Sequence, residues 1–145
     1  MTTIQWLLKW LLIVSGLFLV TAFGTVLLPV SWMAATHQWL GLGEFPEFPI
    51  TVYLARSTSL LYGVHGVMMF YTGCTIQKHW RLVPLFAWLH IGLGIAMFLI
   101  DWTAPMPWYW TLLEGPPVGA LGVLLLWMSA SAGDFSLNTT SKNER

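Results

Sequence analysis

Charged side chains are scarce in this sequence. Six Lys and Arg residues and six Asp and Glu residues amount to 8% of the 145 positions, and the formal net charge is zero. A soluble domain carries about 25% charged residues, so the composition argues against an ordinary water-soluble fold. The chain also lacks the basic patch that binding to phosphate backbones requires, and we expect no nucleic-acid partner.

Cysteine and catalytic signatures are almost absent as well. The single cysteine, Cys74, leaves no second thiol for an intramolecular disulfide. The sequence contains no glycine-rich nucleotide loop, no HExxH, no nucleophile elbow and no CxxC. We therefore expect a protein without catalytic activity of its own.

Apolar residues are abundant, at 57% of the chain, and they are concentrated in four long stretches. A hydrocarbon core of about 30 Å is crossed by about 20 helical residues, and backbone exposed to lipid must satisfy its own hydrogen bonds, which favours helices. The predicted fold is all-α, an integral membrane four-helix bundle. The predicted spans are 6–28, 51–74, 82–102 and 113–132. The last span either starts there or begins near Pro107 and kinks at Pro116 and Pro117.

A short amphipathic helix is predicted between the first two spans, over 32–42. Pro29 ends the first span, and Ser31 is suited to be the N-cap of the short helix. The large apolar residues that share one face are Trp32, Met33, Trp39 and Leu40. Indoles on one face of a short helix are typical of a segment that lies in the membrane interface.

The distribution of cations predicts the orientation. Five of the six lie on one side of the predicted spans: Lys9, Lys78, Arg81, Lys142 and Arg145. The positive-inside rule places that side, with both termini and a polar tail at 133–145, in the cytoplasm. We expect an integral protein of a bacterial inner membrane, with the lipid bilayer as its partner, alongside other membrane subunits or further copies of itself.

Charge within the spans is costly and usually paired or functional, and four ionisable side chains there are candidates for a function: Arg56, His65, His90 and Asp101. His65 and His90 fall at one depth if spans two and three are antiparallel, and Arg56 and Asp101 match near the outer surface. Two facing histidines at one depth are the arrangement of a bis-histidine haem b site. The alternative is a pair of neutral imidazoles that are hydrogen-bonded inside the bundle.

Helical phase restricts these pairs. At about 100° per residue, His90 and Asp101 fall within about 20° of each other, on a stripe with Gly94 and Met97. Arg56 and His65 fall about 180° apart. One straight interface between spans two and three therefore accommodates either an Arg56–Asp101 contact or a His65–His90 contact, but not both.

A second hypothesis places a ligand site on the outer face, where acidic residues and tryptophans are combined. A pocket with mixed charge and aromatic walls is the usual form of a small-molecule site. The candidate residues are Arg56, Tyr62, Asp101, Glu114, Trp108 and Trp110. The alternative is a structural tie of Arg56 to Asp101 or Glu114, with solvated loop acids and an ordinary tryptophan belt.

Arg56, Tyr62 and Gly66 form a pattern early in the second span that, together with four short spans, resembles the small DoxX-like four-helix membrane proteins. The resemblance implies a four-helix bundle and assigns no functional residue. The function expected is that of a non-catalytic subunit or a lipid- or small-molecule-binding protein. The alternatives are an electron-transfer protein with one haem b and a proton or solute carrier.

Overall fold

The computed structural model describes residues 1–104 and 106–132, and within these ranges it contains helices and no strand. The all-α prediction is therefore confirmed. In chain order the helices are α1 Thr3–Val20, α2 Phe23–Leu27, α3 Val30–Trp39, α4 Pro49–Cys74, α5 Leu82–Thr103, α6 Trp108–Leu113 and α7 Gly115–Ala132. The predicted polar tail, 133–145, lies outside the described residues.

Three helical segments in this described part are long and apolar enough to cross a membrane: Thr3–Leu27, Leu82–Thr103 and Trp108–Ala132. Many large apolar side chains point outward, including Phe18 at 75% and Leu27 at 86% exposure. An extensive apolar exterior is unfavourable in water and favourable in lipid. The protein is accordingly a membrane protein, as the composition predicts.

Helix α4 corresponds to the predicted second span but is not one of these three segments. Its 26 residues extend about 39 Å at about 1.5 Å per residue, which exceeds the thickness of a hydrocarbon core. The polar run from Arg56 to Ser59 lowers its hydropathy. The length of α4 permits a fourth crossing. Its more polar composition is what distinguishes it from the three apolar segments.

The chain forms two compact units. The terminal unit consists of Met1–Ile13 and the chain from Tyr71 onward, and the central unit is Val14–Phe70. Each unit has its own internal packing.

In the terminal unit, α5 and α7 run antiparallel along a seam of glycines. A Cβ atom at Gly94 would lie 2.6 Å from the Gly119 Cα, and one at Gly122 would lie 2.7 Å from the Ala87 carbonyl oxygen. Such close backbone approach is possible because these residues lack side chains. Gly115 and Gly119, two small residues four positions apart, therefore pack against α5. Gly92 and Ala96 have the same spacing but do not take part in this seam, because both residues are exposed.

The first turns of α1 also belong to the terminal unit. Gln5 is 1% exposed, and its Nε2 donates to the Ala132 carbonyl oxygen at 3.2 Å. This carbonyl belongs to Ala132, the last residue of α7. The beginning of α1 and the end of α7 therefore lie at the same end of the terminal unit.

In the central unit, the second half of α1 packs against α4 in antiparallel orientation. A Cβ atom at Gly16 would lie 2.8 Å from the Gly66 oxygen, while Phe23, further along the chain, lies against the earlier Gly63. Gly16 is thus a contact residue. At Gly24, by contrast, an added Cβ atom would have no neighbour within 4 Å.

Helix α3, also in the central unit, occurs where the sequence predicts a short helix, but its bounds are Val30–Trp39 rather than 32–42. Pro29 rather than Ser31 occupies the N-cap position, since the fixed φ of proline suits the start of a helix. Met33 is buried, whereas Trp32 and Trp39 are 65% and 83% exposed. The two indoles thus share an exposed face.

The predicted fourth span is divided. Helix α6 ends at Leu113, Glu114 is its C-cap, and α7 begins at Gly115. Pro116 and Pro117 have no N–H to continue the hydrogen bonds of α6, yet they are well tolerated in the first turn of α7. The helical segment thus starts close to Pro107, and its interruption at Glu114 lies two to three residues before the expected kink at Pro116 and Pro117.

Candidate functional site

A cavity of about 490 Å³ opens in the terminal unit where α5, α6 and their connection meet. Its volume falls within the range of ligand pockets, about 300–1,000 Å³. The apolar lining residues are Phe98, Trp102, Ala104, Met106, Trp108 and Leu112. Two polar side chains, Asp101 and Thr111, complete the wall.

Asp101 is the unusual member of this lining. It is only 7% exposed, and its Oδ2 is buried without a hydrogen-bond partner in residues 1–104 and 106–132. Buried carboxylates are normally paired, since an isolated charge in an apolar environment is strongly unfavourable. Asp101, which lines the cavity, therefore carries an acceptor oxygen whose hydrogen-bonding capacity is not used by the described residues around it.

Glu114 places a second carboxyl group near this site. Its Oε2 accepts a short hydrogen bond from Nε1 of Trp110, one turn earlier. Glu114 also interacts electrostatically with Asp101, and the interaction is repulsive when both groups are ionised. The surroundings of the cavity are therefore electronegative.

The lining follows from helical periodicity on two elements. Phe98, Asp101 and Trp102 stand at positions i, i+3 and i+4 of α5, which share one face. Trp108, Thr111 and Leu112 repeat this spacing on α6. The break at Glu114 frees α6 to turn its face toward α5, and the two faces form the walls.

Of the predicted ligand-site residues, Asp101 and Trp108 line this cavity. Trp110 and Glu114 lie beside it and are bonded to each other. The other six lining residues were not among these candidates: Phe98, Trp102, Ala104, Met106, Thr111 and Leu112. The i, i+3, i+4 spacing around Asp101 and Trp108 is a signal that could have indicated Phe98, Trp102, Thr111 and Leu112.

Arg56 and Tyr62, the other two predicted ligand-site residues, lie on α4 in the central unit. One terminal nitrogen of Arg56 donates to the Leu28 carbonyl oxygen at 3.2 Å. That oxygen belongs to the C-cap of α2, so the guanidinium satisfies a helix end. Tyr62 is half-buried. The expected pairing of Arg56 with Asp101 or Glu114 stays a prediction.

The two predicted haem ligands also belong to different units. His90, in α5, is 3% exposed, and its Nδ1 lies 2.8 Å from the Phe86 carbonyl oxygen. His90 and Asp101 both face the interior of the terminal unit, as the phase argument requires. His65 is half-buried in α4, and its pairing with His90 through a haem stays a prediction.

No group of three or more His, Cys, Asp or Glu side chains able to hold a metal ion occurs in the part of the chain that the structure describes. Together, the fold and the cavity define a helical membrane protein with a partly polar pocket. Comparison with protein-family models, with curated proteins and with solved structures finds no match to this chain. The resemblance to DoxX-like proteins therefore stays a prediction.

Proposed function

We propose that this protein is a four-span integral membrane protein that binds a small molecule or lipid in the cavity between α5 and α6. It acts as a binding protein or as a non-catalytic subunit, with other membrane subunits or a second copy as its protein partners. The observation that carries the binding role is the cavity itself, which combines aromatic walls with the buried polar groups of Asp101 and Thr111.

The positions of the helix ends support four crossings rather than three. Gln5 and Ala132 meet at one end of the terminal unit, which requires an even number of crossings between them. The antiparallel contacts of α1 with α4 and of α5 with α7 agree with this count. Helix α4 is then the additional crossing, second in chain order. Helix α3 is an interfacial helix with Trp32 and Trp39 at headgroup level.

Labelling from outside the cell tests this topology. Both Glu47 and Lys78 are exposed and flank α4, so we replace each with cysteine in a Cys74→Ser background. In cells of a bacterial host, a membrane-impermeant maleimide is expected to label the Glu47→Cys protein and to leave the Lys78→Cys protein unlabelled, because the cation-rich side faces the cytoplasm. Equal labelling of both would contradict a crossing by α4, and the reverse pattern would contradict the orientation.

The binding role is tested by filling the cavity. Leu112 lines it, whereas the adjacent Leu113 is 72% exposed and does not. We expect native mass spectrometry of the purified protein to detect a bound molecule that Leu112→Trp removes and Leu113→Trp retains, since the added ring occupies the space of the ligand. A bound molecule that survives in both variants would place the site elsewhere.

A further inference from the structure

We propose that the ligand of this cavity is an organic ammonium ion, such as a quaternary ammonium group carried by a free metabolite or by a lipid headgroup. The inference rests on the proposed binding role of the cavity and specifies the chemistry of the ligand. It is drawn from the combination of a buried carboxylate oxygen that has no donor among the described residues with the aromatic walls around it.

The charge of the wall favours a cation. Asp101 is more than nine-tenths buried and lines the cavity, and its Oδ2 receives no hydrogen bond from any described residue. None of the lining side chains in the described ranges is basic. Glu114 adds a second carboxyl group that interacts with Asp101. A bound monocation would neutralise Asp101 and relieve the repulsion between the two acids.

The apolar part of the wall favours an organic cation over a metal ion. Phe98, Trp102 and Trp108 present aromatic rings, with Phe98 and Trp102 stacked at a centroid distance of 6.1 Å. Aromatic faces attract alkylammonium groups through the ring quadrupole and also bury their methyl groups. A small metal ion would need several oxygen ligands, whereas Asp101 and Thr111 are the two polar side chains of this lining.

The geometry of the opening favours a cation that is attached to a larger molecule. Trp102 and Trp108 are 74% and 76% exposed, so the rings that flank the carboxylate also reach the surface of the unit. In a membrane protein, exposed tryptophans are usually placed at headgroup depth. An ammonium group of a lipid headgroup or of a free solute could therefore reach Asp101 from the membrane interface.

A pair of ligands of equal shape isolates the role of charge. Choline and 3,3-dimethylbutan-1-ol differ in one atom, nitrogen against carbon, so one is cationic and the other is neutral. We titrate each into the purified full-length protein in a maltoside detergent and follow the heat of binding. Choline is expected to bind about tenfold more tightly or better, since a desolvated cation–π contact and a carboxylate both act on its charge.

Two variants with matched controls locate the effect. Asp101→Asn keeps the shape and removes the charge, and it is expected to weaken choline binding about tenfold while leaving the neutral alcohol unaffected; Glu44→Gln, at an exposed acid of the central unit, should change neither affinity. Trp108→Leu is expected to weaken choline binding, whereas Trp127→Leu, which replaces an exposed tryptophan outside the lining, should not. Circular dichroism verifies that each variant is folded.

The possible results distinguish the ammonium inference from the proposed binding role of the cavity. If the alcohol binds as well as choline and Asp101→Asn changes neither affinity, the cavity binds a neutral ligand, and the ammonium inference is wrong while the binding role stands. If neither ligand binds, native mass spectrometry with phosphatidylcholine and phosphatidylglycerol is the deciding arm. Retention of phosphatidylcholine alone, lost in Asp101→Asn, supports a lipid source of the ammonium group. Retention of neither lipid or of both lipids equally overturns the inference, and the Leu112→Trp comparison then decides the binding role.

Discussion

At the scale of single residues, the Oδ2 atom of Asp101 is buried away from water and receives no hydrogen bond from residues 1–104 and 106–132. Such a group destabilises the ligand-free protein, because desolvation of its charged form is not compensated. Functional sites often keep unfavourable groups of this kind, at a cost in stability. The same atom that would attract a cation therefore weakens the empty protein.

This cost is measurable. We expect Asp101→Asn to raise the thermal unfolding midpoint of the ligand-free protein, with a gain of about 1–3 kcal/mol in the free energy of unfolding, because an amide is less costly to bury than an unpaired carboxylate. Thermal unfolding in detergent without added ligand gives the comparison, and Glu44→Gln serves as the exposed control. A lower midpoint for Asp101→Asn would show that the carboxylate is satisfied in the native protein.

At the scale of elements, the seam between α5 and α7 depends on the absence of side chains at particular positions. Gly94 faces the backbone of α7 at Gly119. At Gly92, two residues earlier, an added Cβ atom would have no neighbour within 4 Å. Two residues correspond to about 200° around a helix, so these glycines point in almost opposite directions. Substitutions at these two glycines therefore compare a position in close contact with α7 with an open position on the same helix, and the difference measures how much close helix packing contributes to stability.

We expect Gly94→Ala to destabilise the protein by about 1–3 kcal/mol, because its methyl group would overlap backbone atoms of α7. Backbone atoms, unlike the end of a flexible side chain, cannot move aside by a change of rotamer. Gly92→Ala is expected to be neutral or slightly stabilising, since alanine favours helix and meets open space. Thermal unfolding of the two variants provides the measurement. Equal destabilisation would indicate that glycine acts at both positions through backbone flexibility rather than packing.

The same two glycines show what sequence can predict about an element. Small residues four apart suggest a seam at Gly92 and Ala96, but spacing alone does not say which way a face points. Phase relative to the polar residues does, because buried His90 and Asp101 share a stripe with Gly94. For the cavity, periodicity predicts the α5 wall, whereas the α6 wall depends on a helix break at Glu114 whose geometry is set by tertiary packing.

At the scale of the whole molecule, the described part of the chain contains three helical segments long and apolar enough to cross a membrane, and no group of three or more His, Cys, Asp or Glu side chains there could hold a metal ion. We expect the purified protein to show no Soret band. An absorption spectrum of protein expressed with added haem precursor provides the measurement, since a bis-histidine haem b absorbs strongly in that region. A Soret band that disappears in both His65→Ala and His90→Ala would replace the binding role with electron transfer.

The hydrogen bond from Gln5 to the Ala132 carbonyl has a consequence for biosynthesis. It joins residues 127 positions apart, so the donor is synthesised long before its acceptor exists. At about 5–20 residues per second, synthesis of Ala132 follows synthesis of Gln5 by on the order of ten seconds. The contact between the start of α1 and the end of α7 therefore forms only after all of the described helices have been synthesised, and a chain interrupted before α7 leaves this amide without its Ala132 acceptor.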